Sequence, residues 1–248
     1  PTGDTGTPPD NLADAPTLGT MRAWGLRFIE NLRAIVARVT LLGLSAGGDV
    51  VLVTEATGAG FGSGSSTWLL LDPETGRERR RGEVPQGSFV AGLSSDRRNL
   101  YVIHNSRNRL AVIQLATGDE TTVIAGLPPN VLRLAPDTSG LLVYLLTAGA
   151  GGVYRVDLAT HDIPGPIVSV TGATWLTTNG AGTRLYLVGP GLESPTVPSD
   201  VDGPLRIRTA PLAASATSIW ADFDGPYLYA GGGAGTTVSV LHAESLEI

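Results

Sequence analysis

The chain has 248 residues, of which 42% are hydrophobic and 16% charged, with 17 cationic and 23 acidic side chains giving a net charge of −6. This composition is too apolar for a disordered chain and lacks the basic field that nucleic-acid binding requires. The sequence contains no cysteine, and all its cationic residues are arginines, which excludes disulfides, thiolate catalysis and lysine chemistry. Its 33 glycines and 17 prolines indicate many tight turns and favour an all-β protein.

The first segment, Pro1–Pro16, is rich in Pro, Gly, Thr and Asp. It is similar to the polar tether left after removal of a signal peptide in exported proteins and bacterial lipoproteins. We therefore expect an extended tether over residues 1–20 and a periplasmic or cell-surface location, with lipid anchoring upstream of residue 1 as one option. An arbitrary starting point of the sequence is the alternative. The longest uncharged window, Ile163–Thr183, contains two prolines, so we expect no membrane-spanning segment.

Residues 21–39 admit three interpretations. A strand over Leu32–Ala37 would supply a missing outer strand at the end of the chain, and Trp24–Ile29 would instead add strands towards a sixth repeat. A helix competes with both, because apolar residues recur there at steps of three and four. The residues of that stripe are Trp24, Phe28, Leu32, Ile35 and Val39.

From residue 40 to residue 248 a short apolar strand recurs about every 42 residues, which indicates five repeats. A polar turn and an earlier strand precede each copy, and a third strand closed by a Thr or Ser turn follows four of them. This spacing is typical of four-stranded propeller blades. The recurring strands are Val50–Thr54, Leu100–His104, Leu141–Leu145, Leu185–Gly189 and Tyr227–Gly231, and the turn markers are Thr75, Thr117, Thr160 and Ser245.

The second copy, Gly92–Gly118, closely resembles the YVTN-type β-propeller repeat, which is named for a Tyr-Val-Thr-Asn stretch. In this chain that stretch reads Tyr101-Val102-Ile103-His104. The resemblance implies a propeller, often exported or on the cell surface, and no chemistry of its own. Because an open propeller leaves unpaired strand edges, we expect about five four-stranded blades, closed by an N-terminal strand at Leu32–Ala37 that pairs with the last blade. Six blades are the alternative.

Two insertions open on the predicted upper face, the end of the ring formed by loops between second and third strands. They are Thr57–Ser66 and Gly189–Pro204, and the second carries Glu193, Asp200 and Asp202. These three acids lack a recognised calcium-binding spacing, so we predict no metal site. No phosphate loop, dinucleotide fingerprint or serine-hydrolase elbow is present, and we predict no cofactor.

The histidines do not form a cluster. We expect His104 near the upper face, and His161 and His242 in turns of the lower face. Resemblance to propeller lactonases would make Glu55, His104 and Arg107 the candidate site of a small-molecule hydrolase. Trp68, Trp175 and Trp220 lie in predicted strands, and we expect them to pack in the core or between blades.

The distribution of charged residues along the chain predicts a binding surface. Between Arg77 and Arg109, eight arginines and three acids give a net charge of +5 on an acidic protein. Turns of the first two blades bring this segment together on the lower face, where it would bind an acidic protein face or an anionic membrane surface. Protection of an outer edge strand by charge is the alternative. The predicted partner-binding residues are Arg77, Arg79, Arg80, Arg81, Arg97 and Arg98.

These patterns favour a non-catalytic, extracytoplasmic propeller that serves as a protein-binding scaffold or as an accessory subunit of an envelope or membrane complex. A lactonase-like hydrolase using the upper face is one alternative, and a carbohydrate- or surface-binding module is another.

Overall fold

A computed structural model shows an all-β chain in which the described residues form five antiparallel sheets. Strand is the only extended secondary structure among them, accompanied by a single 3-10 turn at Asn105–Arg107. None of the described helical segments is long and apolar enough to cross a membrane. The structure describes residues 38–55, 66–84, 89–149, 151–178, 184–189, 196–198, 218–221, 226–231 and 238–243.

The first three sheets each contain four strands in chain order. The first sheet consists of β1 (Arg38–Leu44), β2 (Val50–Glu55), β3 (Ser66–Leu71) and β4 (Glu78–Val84). The second consists of β5 (Phe89–Leu93), β6 (Asn99–His104), β7 (Arg109–Gln114) and β8 (Glu120–Ala125). The third consists of β9 (Val131–Pro136), β10 (Leu142–Thr147), β11 (Gly152–Asp157) and β12 (Val168–Ser169).

The last two sheets have three described strands each, again in chain order. The fourth sheet consists of β13 (Trp175–Thr178), β14 (Arg184–Val188) and β15 (Thr196–Pro198). The fifth consists of β16 (Ser218–Ala221), β17 (Tyr227–Gly231) and β18 (Ser239–His242). The five recurring apolar segments of the sequence are therefore the second strands of five successive sheets, with bounds that differ from the predicted ones by at most two residues.

The sheets are arranged as a β-propeller. Their first strands lie side by side in the order β1, β5, β9, β13, β16, and each sheet packs its face against the next. The second strands lie between two packed faces, so β6, β10 and β14 are buried along nearly their whole length. This explains why they are continuous apolar runs, whereas the outer strand β4 is exposed and polar.

Four hydrophobic clusters fill the spaces between successive sheets. Trp68 anchors the cluster between the first and second sheets, and Tyr101 belongs to the cluster between the second and third. Tyr144 lies between the third and fourth sheets, and Tyr186 between the fourth and fifth. All four side chains are nearly completely buried. The cohesion of the propeller therefore comes from contacts between neighbouring sheets.

Two sheet faces remain outside these four clusters. On the first sheet, Leu52, Leu69 and Leu71 form a separate small cluster on the face turned away from the second sheet. On the fifth sheet, the cross-strand neighbours Trp220, Tyr229 and Val240 are 50%, 37% and 43% exposed. These are the two faces that would meet if the fifth sheet were followed by the first in a closed ring.

The predicted Thr markers hold the turns between third and fourth strands. The side-chain oxygens of Thr75, Thr117 and Thr160 each accept a hydrogen bond from the amide two residues later. Because the same bond recurs in three sheets, the turn repeat of the sequence is a structural repeat.

Candidate functional site

The six predicted partner-binding arginines lie at one end of the first two sheets. Arg77 precedes β4, Arg79–Arg81 lie within it, and Arg97 and Arg98 occupy the turn between β5 and β6. Turns between first and second strands, and between third and fourth strands, share this end, which we call the lower face. All six side chains belong to exposed residues.

Hydrogen bonds connect these arginines into one surface across both sheets. Arg79 forms ion pairs with Asp49 at 3.2 Å and with Asp72 at 2.5 Å. The turn that ends at Asp49 is itself bonded to the second sheet, because the Ala46 amide donates to the Arg97 carbonyl at 2.9 Å. The predicted adjacency of the two arginine groups is therefore present.

A second link runs through the turn between β7 and β8. The guanidinium of Arg80 donates to the Thr117 carbonyl at 2.5 Å, and the Leu115 amide donates to the Arg98 carbonyl at 2.9 Å. Arg80 and Arg98 thus flank the same turn from different sheets.

Only part of the arginine surface is neutralised by direct pairing. The hydrogen bond from Arg79 holds the pKa of Asp72 well below its usual range, with help from the Thr75 amide. Arg81 lowers the pKa of Glu78 in the same way. Within the described residues, four of the six guanidinium groups have no carboxylate partner. These four are Arg77, Arg80, Arg97 and Arg98.

The surface as a whole carries less positive charge than the segment 77–109 suggested. Turns that are distant in sequence place acidic side chains next to these arginines. The lower edge of the first two sheets therefore contains six carboxylates as well as the six arginines. Long-range attraction should therefore be weak, and binding would depend on local pairs formed by the unneutralised arginines. The six acids are Asp49, Asp72, Glu74, Glu78, Asp96 and Asp119.

A cavity of about 440 Å³ lies beside this surface, at the lower end of the central axis. Residues from the first strands of all five sheets, or from the turns directly after them, line it. Its apolar wall has leucines from each of the first four sheets and an alanine from the fifth: Leu42, Leu44, Leu93, Leu134, Leu176 and Ala221. The expected upper-face insertions Thr57–Ser66 and Gly189–Pro204 lie largely outside the described residues, as do Glu193, Asp200 and Asp202.

Of the three residues expected for a lactonase-like site, the structure describes the side chains of His104 and Arg107. His104 is completely buried at the end of β6, and neither ring nitrogen has a hydrogen-bond partner among the described residues. Arg107 is exposed in the 3-10 turn. The structure does not describe the side chain of Glu55. His161 and His242 lie near the lower face, as expected. No group of metal-binding side chains occurs in the described ranges.

Trp220 of β16 lies beside Trp175 of β13, the first strand of the neighbouring sheet, with 5.4 Å between the ring centroids. Arg133 from β9 stacks over the Trp175 ring at 4.2 Å. This arrangement fits the predicted packing between blades, although half of Trp220 remains exposed.

The buried His104 should make stability depend on pH. Burial lowers its pKa, and the nearby charges of Arg109 and Arg107 add to that effect, while Glu120 opposes it. The unfolded chain binds a proton near pH 6.5, whereas the folded protein does so only at lower pH. The free energy of unfolding is therefore fully retained above about pH 6.5 and falls below it, by at most about 1.4 kcal/mol per pH unit.

Chemical denaturation of the wild type and His104→Leu at pH 7.5 and 5.5 measures this effect. We expect the variant to lose less stability on acidification. His161→Asn is the control, because His161 is exposed in a turn at φ +65°, a conformation that asparagine tolerates; it should behave as the wild type. Equal losses in His104→Leu and the wild type would show that His104 is not the titrating group.

The comparisons with known proteins bear on the fold. No protein-family model matches the sequence, and no curated protein is similar to it. In structure the chain is similar to Kuenenia stuttgartiensis Hydrazine Synthase, with a TM-score of 0.58 at 14% identity over 83% of this chain. The chain spans 64% of the length of that structure. In all, 1256 solved chains match this chain in structure, and a fold shared so widely does not by itself indicate a function.

Proposed function

We propose that the chain is a non-catalytic propeller scaffold that binds an acidic face of a protein partner through the lower edge of its first two sheets. One observation carries this proposal: four guanidinium groups on two adjacent sheets have no carboxylate partner among the described residues. Arginine forms bidentate pairs with carboxylates, and such pairs between proteins fix orientation and register.

The rigid frame supports this role. Arg80 and Arg98 flank a turn that is hydrogen-bonded to both, and Arg97 is tied to the first sheet through its carbonyl. Side chains held on such a frame lose little backbone freedom on binding. The resemblance of the second repeat to the YVTN type adds an extracytoplasmic location and membership of an envelope or membrane complex to the proposal.

We further propose that the ring has five blades and is closed by an N-terminal strand. The unmatched faces of the first and fifth sheets support closure, since each exposes or isolates apolar side chains that the other could cover.

The predicted closing strand at Leu32–Ala37 and the alternative segment Trp24–Ile29 both lie outside the described residues, which begin at Arg38. We keep Leu32–Ala37 as the proposed closing strand, with six blades, to which Trp24–Ile29 would contribute, as the alternative.

The test of the binding surface is a triple substitution of Arg77, Arg80 and Arg98 by Gln. We expect it to reduce recovery of the partner from an envelope extract about fivefold or more, because three exposed pairs of up to about 1 kcal/mol each are lost. Arg107→Gln, on the opposite end of the second sheet, is the matched control and should recover as much partner as the wild type.

Recovery that is equal for the triple variant and the wild type would overturn the proposal. Binding of the wild type to phosphatidylglycerol vesicles, without any protein recovered from the extract, would assign the surface to a membrane instead. The purified variant should unfold at the wild-type temperature, since the three side chains are exposed.

A further inference from the structure

The turn between β5 and β6 contains a backbone conformation that its sequence does not favour. Arg97 has φ +58°, in the left-handed region. Its amide donates to the carbonyl of Ser94, three residues earlier, and Gly48 makes the same bond to Ser45 in the first sheet. Gly140 holds the corresponding position in the third sheet, also at positive φ. An arginine thus stands where two equivalent turns have glycine.

This substitution is unusual for physical reasons. The Cβ atom of most residues clashes with the backbone in the left-handed region, and only Asn, Asp and His are notably enriched there. The other non-glycine residues at positive φ in the described part are two asparagines and a histidine, Asn108, Asn130 and His161. Arg97 is the exception, and strained residues of this kind often mark functional positions.

The position of Arg97 indicates what the arginine could do. Arg97 is one of the residues that line the cavity at the lower end of the central axis, and it is the one charged residue among the described residues of that lining. Among the described residues it makes no side-chain hydrogen bond or ion pair.

The neighbouring polar groups are already engaged. The Asp96 carboxylate accepts from Ser94 and from the Arg98 amide. Thr178 donates to the Pro136 carbonyl at 2.9 Å, and Ser95 donates to the Asp137 carbonyl. Thr177 also lines the cavity, and its hydroxyl makes no hydrogen bond with the described residues.

We propose that this cavity binds a carboxylate attached to an apolar group. The guanidinium of Arg97 pairs with the carboxylate, Thr177 donates a hydrogen bond, and the leucines of the first four sheets cover the apolar part. One guanidinium matches one carboxylate charge, and a volume of about 440 Å³ lies within the range of small-molecule sites. The carboxylate could belong to a small molecule or to the C-terminus of a peptide, and the test separates these sources.

Calorimetric titration with hexanoate, hexan-1-ol and inorganic phosphate tests the site. We expect hexanoate to bind at least tenfold more tightly than the alcohol of the same length or phosphate. Arg97→Gly should abolish that preference without lowering the unfolding temperature, because glycine relieves the left-handed strain. Arg97→Asn is a second variant that tolerates the same backbone, and Arg98→Gln is the matched control that should retain binding.

The tripeptide Ala-Ala-Leu, with a free or an amidated C-terminus, identifies the source. Tighter binding of the free peptide than of hexanoate assigns the site to a protein terminus, and the reverse assigns it to a small molecule. Equal binding of hexanoate and hexan-1-ol, or a preference for hexanoate that survives in Arg97→Gly, would overturn the proposal. The surface variant of Arg77, Arg80 and Arg98 leaves Arg97 in place, so the two proposals can fail independently.

Discussion

Deletion of residues 1–37 is expected to lower the unfolding temperature by about 10 °C or more, or to cause aggregation, because it removes the proposed closing strand. Without it, β18 would keep an unpaired edge, and the apolar faces of the first and fifth sheets would lose their common cover. Calorimetry and size-exclusion chromatography on the truncated protein measure both effects.

Deletion of residues 1–20 alone is the matched control, since that segment is predicted to be a tether, and it should change neither property. Proline substitutions distinguish the two candidate strands, because proline removes a ladder hydrogen bond. Ile35→Pro should be destabilising and Phe28→Pro tolerated if Leu32–Ala37 is the closing strand, and the reverse result would assign the strand to Trp24–Ile29. A 1–37 deletion that remains monomeric and equally stable would contradict closure by the N-terminal segment.

Trp68→Ala is expected to destabilise the protein by about 3–5 kcal/mol. The indole is 1% exposed and lies in the cluster that joins the first two sheets, so its removal leaves a large cavity between them. Urea denaturation measures the change. Leu141→Ala is the control, since that residue is 55% exposed, and it should cost less than half as much.

Gly82 provides an independent check on the same packing. Gly82 is the cross-strand partner of Trp68, and a Cβ atom built on it would lie 2.4 Å from the indole nitrogen. Gly82→Ala should therefore cost about 1–3 kcal/mol in the wild type. In the Trp68→Ala background the same change should cost almost nothing. Additive costs would show that the indole does not occupy this position.

The architecture was largely predictable because second strands are buried on both faces. A strand packed on both sides needs apolar residues at nearly every position, so runs of this kind at a regular period are visible in a single sequence. The Thr turn markers were visible for a related reason, since each hydroxyl stabilises its own turn locally. Closure by the N-terminal segment stays a prediction, because residues 1–37 lie outside the described part of the chain.

The location of the arginine surface was predictable from the sequence, but its net charge was not. Arg79 and Asp49 are 30 residues apart in sequence, and their ion pair exists only because two turns of the first sheet meet. The net charge of a sequence segment therefore overestimated the charge of the surface. The unusual position of Arg97 is visible in the sequence, since the equivalent turns of the first and third repeats have Gly48 and Gly140 at that position.

Site-specific photocrosslinking tests the proposed docking surface most directly. A benzoylphenylalanine at Arg77 would report on the lower face, and one at Arg107 on the opposite end. In cells, the account predicts a discrete crosslinked protein from position 77, absent when Arg80 and Arg98 are replaced by Gln, and none from position 107. Crosslinks from position 107 alone, or equal crosslinking from both positions, would contradict a partner bound at the lower edge of the first two sheets.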